Sequence, residues 1–275
     1  MKITAQEVNQ LRKRTGAGMM DCKKALVETE GDMEKAIDVL RKKGQKVAAN
    51  RADREAGEGV VLSKVSEDTK YAAALMLNCE TDFVAINADF IAFAKSVLDV
   101  AVANKVKNID ELKTAKLGDL TVDEAILGQT GVIGEKIQLG AFECIVADSA
   151  YAYVHPGNRI ATIACFNKTS DVVADAGKDI VMQIAAMDPV ALDKDSVSDE
   201  TVKREIEIGM EQARQEGKPE AMLEKIANGK LNKFYKENTL LNQAFIKDTK
   251  KNVTQYLQEV EKELTVLDFK RLALG

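Results

Sequence analysis

Leu77-Asn78-Cys79-Glu80-Thr81-Asp82-Phe83-Val84-Ala85 decides the reading of this 275-residue chain, because an apolar run ends there in polar turn residues and an aromatic follows an acid. Such a run reads as a buried strand, and a Thr-Asp pair after it reads as the cap of a following helix, since a side-chain oxygen there can accept from unpaired amide N–H groups. An echo stands 89 residues downstream, where Ala161 to Phe166 leads into Asn167-Lys168-Thr169-Ser170-Asp171-Val172-Val173 without a gap. After each copy apolar residues fall at helical spacing: Phe90, Ile91, Phe93, Ala94, Val97 and Leu98 in the first, Val173, Ile180, Ile184 and Ala185 in the second. One unit is therefore present twice. The copies differ after the acid, with Phe83 in one and Val172 in the other.

Working outward, Gly57-Glu58-Gly59 marks the entry into β structure, and Val60 to Val65 with Tyr71 to Leu77 reads as an antiparallel pair around a turn at Ser66 to Lys70. A helix from about Asp89 to Asn104 follows, then shorter ones near Ile109-Leu112 and Val122-Leu127. Ile137 to Val146 is read as opening the second unit, continued by Tyr151 to Val154, Asn158 to Phe166 and a helix from about Asp171 to Met187. Beyond Pro189 the charged stretch at about 190–228 reads as an inserted helical hairpin, whose apolar seam requires a partner. A helix near Lys250 to Glu263 and a strand over Leu267 to Leu274 close the chain.

Residues 1–55 read as a separate helical module. Thr4-Ala5-Gln6-Glu7 has capping-box spacing before Val8 and Leu11, Thr15 to Gly18 breaks this helix, and a second runs from about Met20 through Val27. Gly31-Asp32 caps a third over Met33 to Lys42, with a further helix or linker at Gln45 to Glu55. The expected fold class is α+β: a three-helix module, then a duplicated core with antiparallel sheets divided at 56–140 and 141–275, the hairpin inserted in the second part.

Composition excludes several classes. No apolar segment approaches the roughly 20 residues that cross a bilayer, and the polar start Met1-Lys2-Ile3-Thr4 lacks a signal peptide's apolar stretch. Four dispersed cysteines and a single histidine give no zinc pairing, and they read as reduced thiols of a cytosolic protein. No nucleophile motif accompanies His155, so neither an enzyme nor a cofactor is expected. Net charge is −5, yet residues 1–54 hold 13 Lys/Arg against 8 Asp/Glu. A basic module suits nucleic acid or an acidic protein surface.

Three sites carry alternatives. Adjacent Met19 and Met20 at a turn cannot easily both be buried, and an exposed methionine is an adaptable contact for a partner. Phe83 is either a core residue or a wedge projecting from a turn, with Asp82 a cap. His155-Pro156-Gly157-Asn158 is a hairpin turn whose histidine is either solvated or a recognition residue.

The stretches at 11–26 and 77–85, in this order and separation, resemble the two signature regions of the elongation factor Ts family, and the resemblance extends over nearly the whole chain. It implies a ubiquitin-associated-type N-terminal module and a guanine-nucleotide exchange factor that speeds GDP release from elongation factor Tu in the bacterial cytoplasm or an organelle, with no chemistry of its own. By the same resemblance Arg12, Met19 and Met20 pack on the partner's nucleotide-binding domain, and Asp82 and Phe83 intrude beside its magnesium site. Ile133-Gly134-Glu135 and His155 touch the partner, although Pro156 stands where the family usually has glycine. The hairpin serves self-association or partner contact. The rival is a nucleic-acid or ribosome-associated module using Lys13, Arg14, Lys23 and Lys24, whose binding would fall steeply with salt.

Overall fold

The computed structural model describes residues 3–275; Met1 and Lys2, part of the polar start, lie outside the described residues. Three helices come first: α1 (Ala5–Thr15), α2 (Met19–Glu28) and α3 (Met33–Asn50). The capping box forms as the sequence indicates, Thr4 accepting from the Glu7 N–H while the Glu7 carboxylate accepts from that of Thr4. Val8, Leu11, Cys22, Ala25, Leu26 and Ala36 form the module's own small core.

The third helix does not stop at Lys42. It continues through Gly44 to Asn50, absorbing much of the proposed linker, because the glycine is where α7 (Val122–Ile133) crosses it. A Cβ on Gly131 would lie 2.7 Å from Gly44 Cα, so two facing glycines let these backbones touch. A mid-helix glycine costs about 1 kcal/mol of propensity, which close helix packing offsets here.

The core repeats one plan. In the first unit β1 (Glu58–Val65) and β2 (Tyr71–Cys79) form a hairpin, followed by a helical turn α4 (Asp82–Ala85), then α5 (Ala88–Ala103) and α6 (Ile109–Thr114). A small hairpin of β3 (Lys116–Leu117) and β4 (Leu120–Thr121) leads into α7, and β5 (Gln138–Val146) returns beside β2. The second unit runs β6 (Ser149–Val154), β7 (Ile160–Phe166) and α8 (Asp171–Met187), then inserts α9 (Asp199–Gln215) and α10 (Glu220–Asn238). It resumes with β8 (Ala244–Phe245), β9 (Asp248–Asn252), α11 (Val253–Val260) and β10 (Val266–Ala273). The sheets are β1-β2-β5 and β6-β7-β10, all antiparallel, and Val65 opposite Ala72 recurs as Val154 opposite Ala161, at the same offset of 89.

Gln138–Val146 is therefore the last strand of the first sheet and not the opening of the second unit; Tyr71 lies opposite Val146 as Ile160 lies opposite Ala273. Other differences are of extent. Helix α7 runs past Leu127 to Ile133, the closing helix is Val253–Val260 with Lys250 in β9, and α10 extends beyond 228 to Asn238.

The hairpin seam needs no external partner. Gly209 sits against Ala227, and Ala213, Leu223 and Leu231 are buried between α9 and α10. Its base is stitched to the core by two fully buried amides: Gln243 Nε2 donates to the Met187 and Glu237 carbonyls at 3.0 Å each, and Gln183 Nε2 to Gln243 Oε1 at 3.2 Å.

Strand β2 is apolar on both faces because both are covered. Tyr71, Ala73, Leu75 and Leu77 join Phe90, Val97 and Leu98 of α5 in the first core, whereas Ala72 and Ala74 meet Ala150, Ile163 and Cys165 of the second sheet. Small residues in alternate positions let the two sheets pack face to face.

Candidate functional site

The site grows from the end of β2. Thr81 takes the extended conformation of an N-cap, and its hydroxyl accepts from the Val84 N–H at 3.4 Å; Ser170 does the same for Val173. The capping oxygen is thus Thr81's and not Asp82's. Asp82 is the first helical residue, exposed at the positive end of the turn, where a carboxylate is favoured.

Phe83 is 79% exposed, so the wedge geometry and not the core reading describes it. Burying a phenylalanine stabilises a chain by about 1.5–3 kcal/mol, and this fold forgoes that at Phe83. Ile86, one helical turn on, is 75% exposed, so two large apolar side chains project from four residues. The sequence held a signal for Ile86 in its i+3 spacing from Phe83, but periodicity alone does not separate a projecting pair from a core pair.

What holds the turn was not legible locally. Glu135, just past the left-handed cap Gly134 at the end of α7, accepts the Thr81 hydroxyl at 2.7 Å and the N–H groups of Glu80 and Thr81 at 3.1 Å each. Glu80 reaches back, accepting the Lys136 N–H at 2.6 Å and Arg51 Nη1 on both oxygens at 2.8 Å. The Lys136 N–H, and after it Arg51, holds the Glu80 carboxyl below its ordinary range against an opposing effect of burial. Cys79, bonded through sulfur to the Thr81 carbonyl, has its thiol pushed up to about 12 by burial first and the Glu135 charge second, so it stays protonated and inert.

Arg12 and Ile133 lie on the walls of one cleft of about 600 Å³ between the helical module and the first unit, with Gly16, Val84, Phe90 and Gln129. Met19 and Met20, at the start of α2 outside that lining, are 54% and 63% exposed; neither turns inward. His155 is exposed in the β6–β7 turn, its Nδ1 3.0 Å from the Tyr153 hydroxyl. That turn meets the end of the first sheet from which Thr81 emerges: Arg159 pairs at 2.6 Å with Glu58, which lies opposite Cys79, and the Asn158 carbonyl accepts from Val61.

Among the described residues no group of three His, Cys, Asp or Glu side chains is placed to hold a metal ion, and no helix is long and apolar enough to cross a membrane. Fold and site together define a class: a duplicated α+β protein, with a helical module docked on its first unit, that projects an aromatic from a clamped turn. The family model described as Elongation factor TS matches residues 80–275. Elongation factor Ts of Christiangramia forsetii is 51% identical, with 100% of this chain and 99% of that protein covered. The proteins of the same name from Amoebophilus asiaticus, 50% identical with both chains covered in full, and Cytophaga hutchinsonii, 52% identical over 99% of each, agree. The chain belongs to the elongation factor Ts family.

Proposed function

We propose that this chain acts on its GTPase through two separable surfaces, a docking surface on the helical module and a wedge at Phe83. As a member of its family it is a translation elongation factor, the nucleotide-exchange factor of elongation factor Tu. Arg12, Met19, Met20, Ile133, Gly134 and His155 make the docking contacts in this reading. Asp82 and Phe83 enter beside the partner's magnesium and phosphates. The observation that carries the reading is the 79% exposure of Phe83 on a turn whose entry is tied to Glu135 by the N–H groups of Glu80 and Thr81.

The physics is linkage. If the factor binds the nucleotide-free GTPase more tightly than the GDP-bound form, GDP weakens factor binding by the same ratio that the factor weakens GDP. Each tenfold in that ratio requires about 1.4 kcal/mol of differential binding energy. A bound magnesium is the largest local charge holding the phosphates, so an aromatic that disturbs its shell supplies such a difference. The factor opens a faster exit route for GDP, leaves the overall nucleotide equilibrium unchanged and transforms no substrate.

The remaining parts of the reading are narrower. The basic face of the module meets an acidic protein surface and no nucleic acid, and the outer face of the α9–α10 hairpin serves contact with the GTPase or a second copy. The compartment is the bacterial cytoplasm, where translation occurs. Mixing the chain with elongation factor Tu loaded with fluorescent GDP tests the function: accelerated release at low micromolar protein is expected, and an unaltered rate contradicts it.

A further inference from the structure

The turn that carries Phe83 exists twice, and the two copies are held differently. In the second unit the Ser170 hydroxyl donates to Glu261, the residue after α11, at 3.3 Å, and Lys168 lies 3.2 Å from the other carboxylate oxygen. Lys168 also donates to the Lys262 carbonyl and Asn167 to that of Glu263, so the turn bearing Val172 is tied to the segment that follows α11. In the first unit the equivalent carboxylate, Glu135, takes the Thr81 hydroxyl at 2.7 Å and two backbone N–H groups besides. Glu80 has Thr169 as its counterpart, which cannot form an ion pair, yet Glu80 itself binds the Lys136 N–H and Arg51.

Arg51 ends α3, and the Lys136 ammonium donates to the Ala52 and Arg54 carbonyls at 2.8 and 3.0 Å. Three segments, at 51–54, 80–81 and 135–136, are thereby joined by charge-assisted hydrogen bonds, which are roughly twice as strong as neutral ones. Both copies use the hydroxyl–carboxylate bond and both add further ties, but the copy with the exposed aromatic sets two backbone N–H groups on its carboxylate and is linked through Glu80 to Arg51 at the end of the N-terminal module. Helix α4 is four residues long and is seated on the first core through Ala85 and the partly buried Val84 alone, while the Phe83 side chain itself is 79% exposed.

We propose that Glu135 is a positioning residue for Phe83, and that the Arg51–Glu80 pair extends this positioning to the N-terminal module, so that docking and wedge entry act as one rigid body. The proposal rests on the wedge reading of Phe83. A reacting or intruding group displaced by about 1 Å can lose on the order of a hundredfold in rate, so fixing the turn matters even though Glu135 itself need not touch nucleotide or metal.

Two readouts test it. Stopped-flow release of fluorescent GDP separates the maximal rate at saturating factor from the half-saturating concentration. The chain has no tryptophan, so Phe83→Trp places a single fluorophore on the turn, and time-resolved anisotropy of the free protein reports its local wobble with no partner present. Glu135→Ala is expected to lower the maximal rate about tenfold while half-saturation stays within about threefold, and Glu135→Gln, which keeps one acceptor oxygen but sets its amide NH2 against the remaining donors, recovers only part of the loss. Added to Phe83→Ala, it costs less than about twofold more, because both variants remove the same contribution. In the Phe83→Trp background it enlarges the fast anisotropy decay, and Arg51→Gln lowers the maximal rate about threefold.

Losses from Glu135→Ala and Phe83→Ala that multiply independently, or an unchanged anisotropy decay, overturn the positioning role; an unchanged rate in Arg51→Gln overturns its extension to the module. If Glu135→Ala does not fold, Glu135→Gln carries the same comparisons at smaller amplitude. A Phe83→Ala protein with full maximal rate removes the wedge reading and the proposal with it. A slowed Phe83→Ala beside an unaffected Glu135→Ala removes the proposal alone.

Discussion

Glu135 accepts the hydroxyl of Thr81 at 2.7 Å across 54 residues of chain, and Glu261 accepts that of Ser170 at 3.3 Å at the equivalent place in the second unit. The repeated bond belongs to the fold. Among the groups around it in the first unit, the Glu80 carboxylate, paired with Arg51 and the Lys136 N–H, makes the turn sensitive to acid. The Glu80 carboxyl titrates below its ordinary value of 4.5, the Lys136 N–H being the largest cause. A carboxyl with a lowered folded pKa contributes stability above its unfolded value and loses it as pH falls through the folded one. The advantage of the native chain over Glu80→Gln in urea midpoint should therefore be full at pH 7 and shrink progressively below pH 4.5. Midpoints measured across that range check this, and a constant difference contradicts it.

Met19→Ala and Met20→Ala should leave the free chain as stable as before, since both side chains are more than half exposed. Each should raise the half-saturating concentration for GDP release by about tenfold, corresponding to roughly 1.4 kcal/mol less apolar burial energy on docking, with the maximal rate preserved. Titrating each variant against elongation factor Tu separates the two parameters. A fall in maximal rate at unchanged half-saturation would assign these residues to the wedge instead.

Gly131→Ala places a Cβ 2.7 Å from Gly44 Cα, against backbone that cannot swing aside. Overpacking of this kind costs about 1–3 kcal/mol. The strain falls on the seam between the module and the core, so limited proteolysis should cut the 51–57 segment faster than in the native chain. Equal cleavage rates would show that α3 and α7 adjust without parting.

Gln243→Leu removes the donor to the Met187 and Glu237 carbonyls and takes from Gln183 Nε2 one of its two acceptors, the Ala244 carbonyl remaining. Buried polar groups left unpaired cost about 1–3 kcal/mol each, so the melting temperature should drop by several degrees. The maximal release rate at room temperature should be unaffected, because the amides anchor the hairpin and form no bond to the Thr81 turn. Calorimetry and release kinetics on the same preparation check both halves.

The 89-residue echo was legible because two strand-to-helix junctions kept their pattern of apolar run, hydroxyl and acid, which is local chemistry. The place of Gln138–Val146 was not: a strand's own residues say that it pairs, and nothing in them says which sheet receives it. The helix expected to end at Lys42 runs on through Gly44, a crossing point whose partner, Gly131, comes from a helix far along the chain. The clasp was the least visible part. Arg51 to Glu80 spans 29 residues and Glu80 to Glu135 spans 55, and no periodicity connects them. Phe83 could be singled out because the second copy shows the fold does not need an aromatic there.

The central claim is that docking and GDP expulsion reside in different residues, with Phe83 responsible for the second. Stopped-flow release of fluorescent GDP from elongation factor Tu by Phe83→Ala, carried to saturation, tests it most directly. A maximal rate lower by about tenfold or more is expected, with half-saturation within about threefold of the native value. A maximal rate equal to the native one, with only the half-saturating concentration raised, would contradict it.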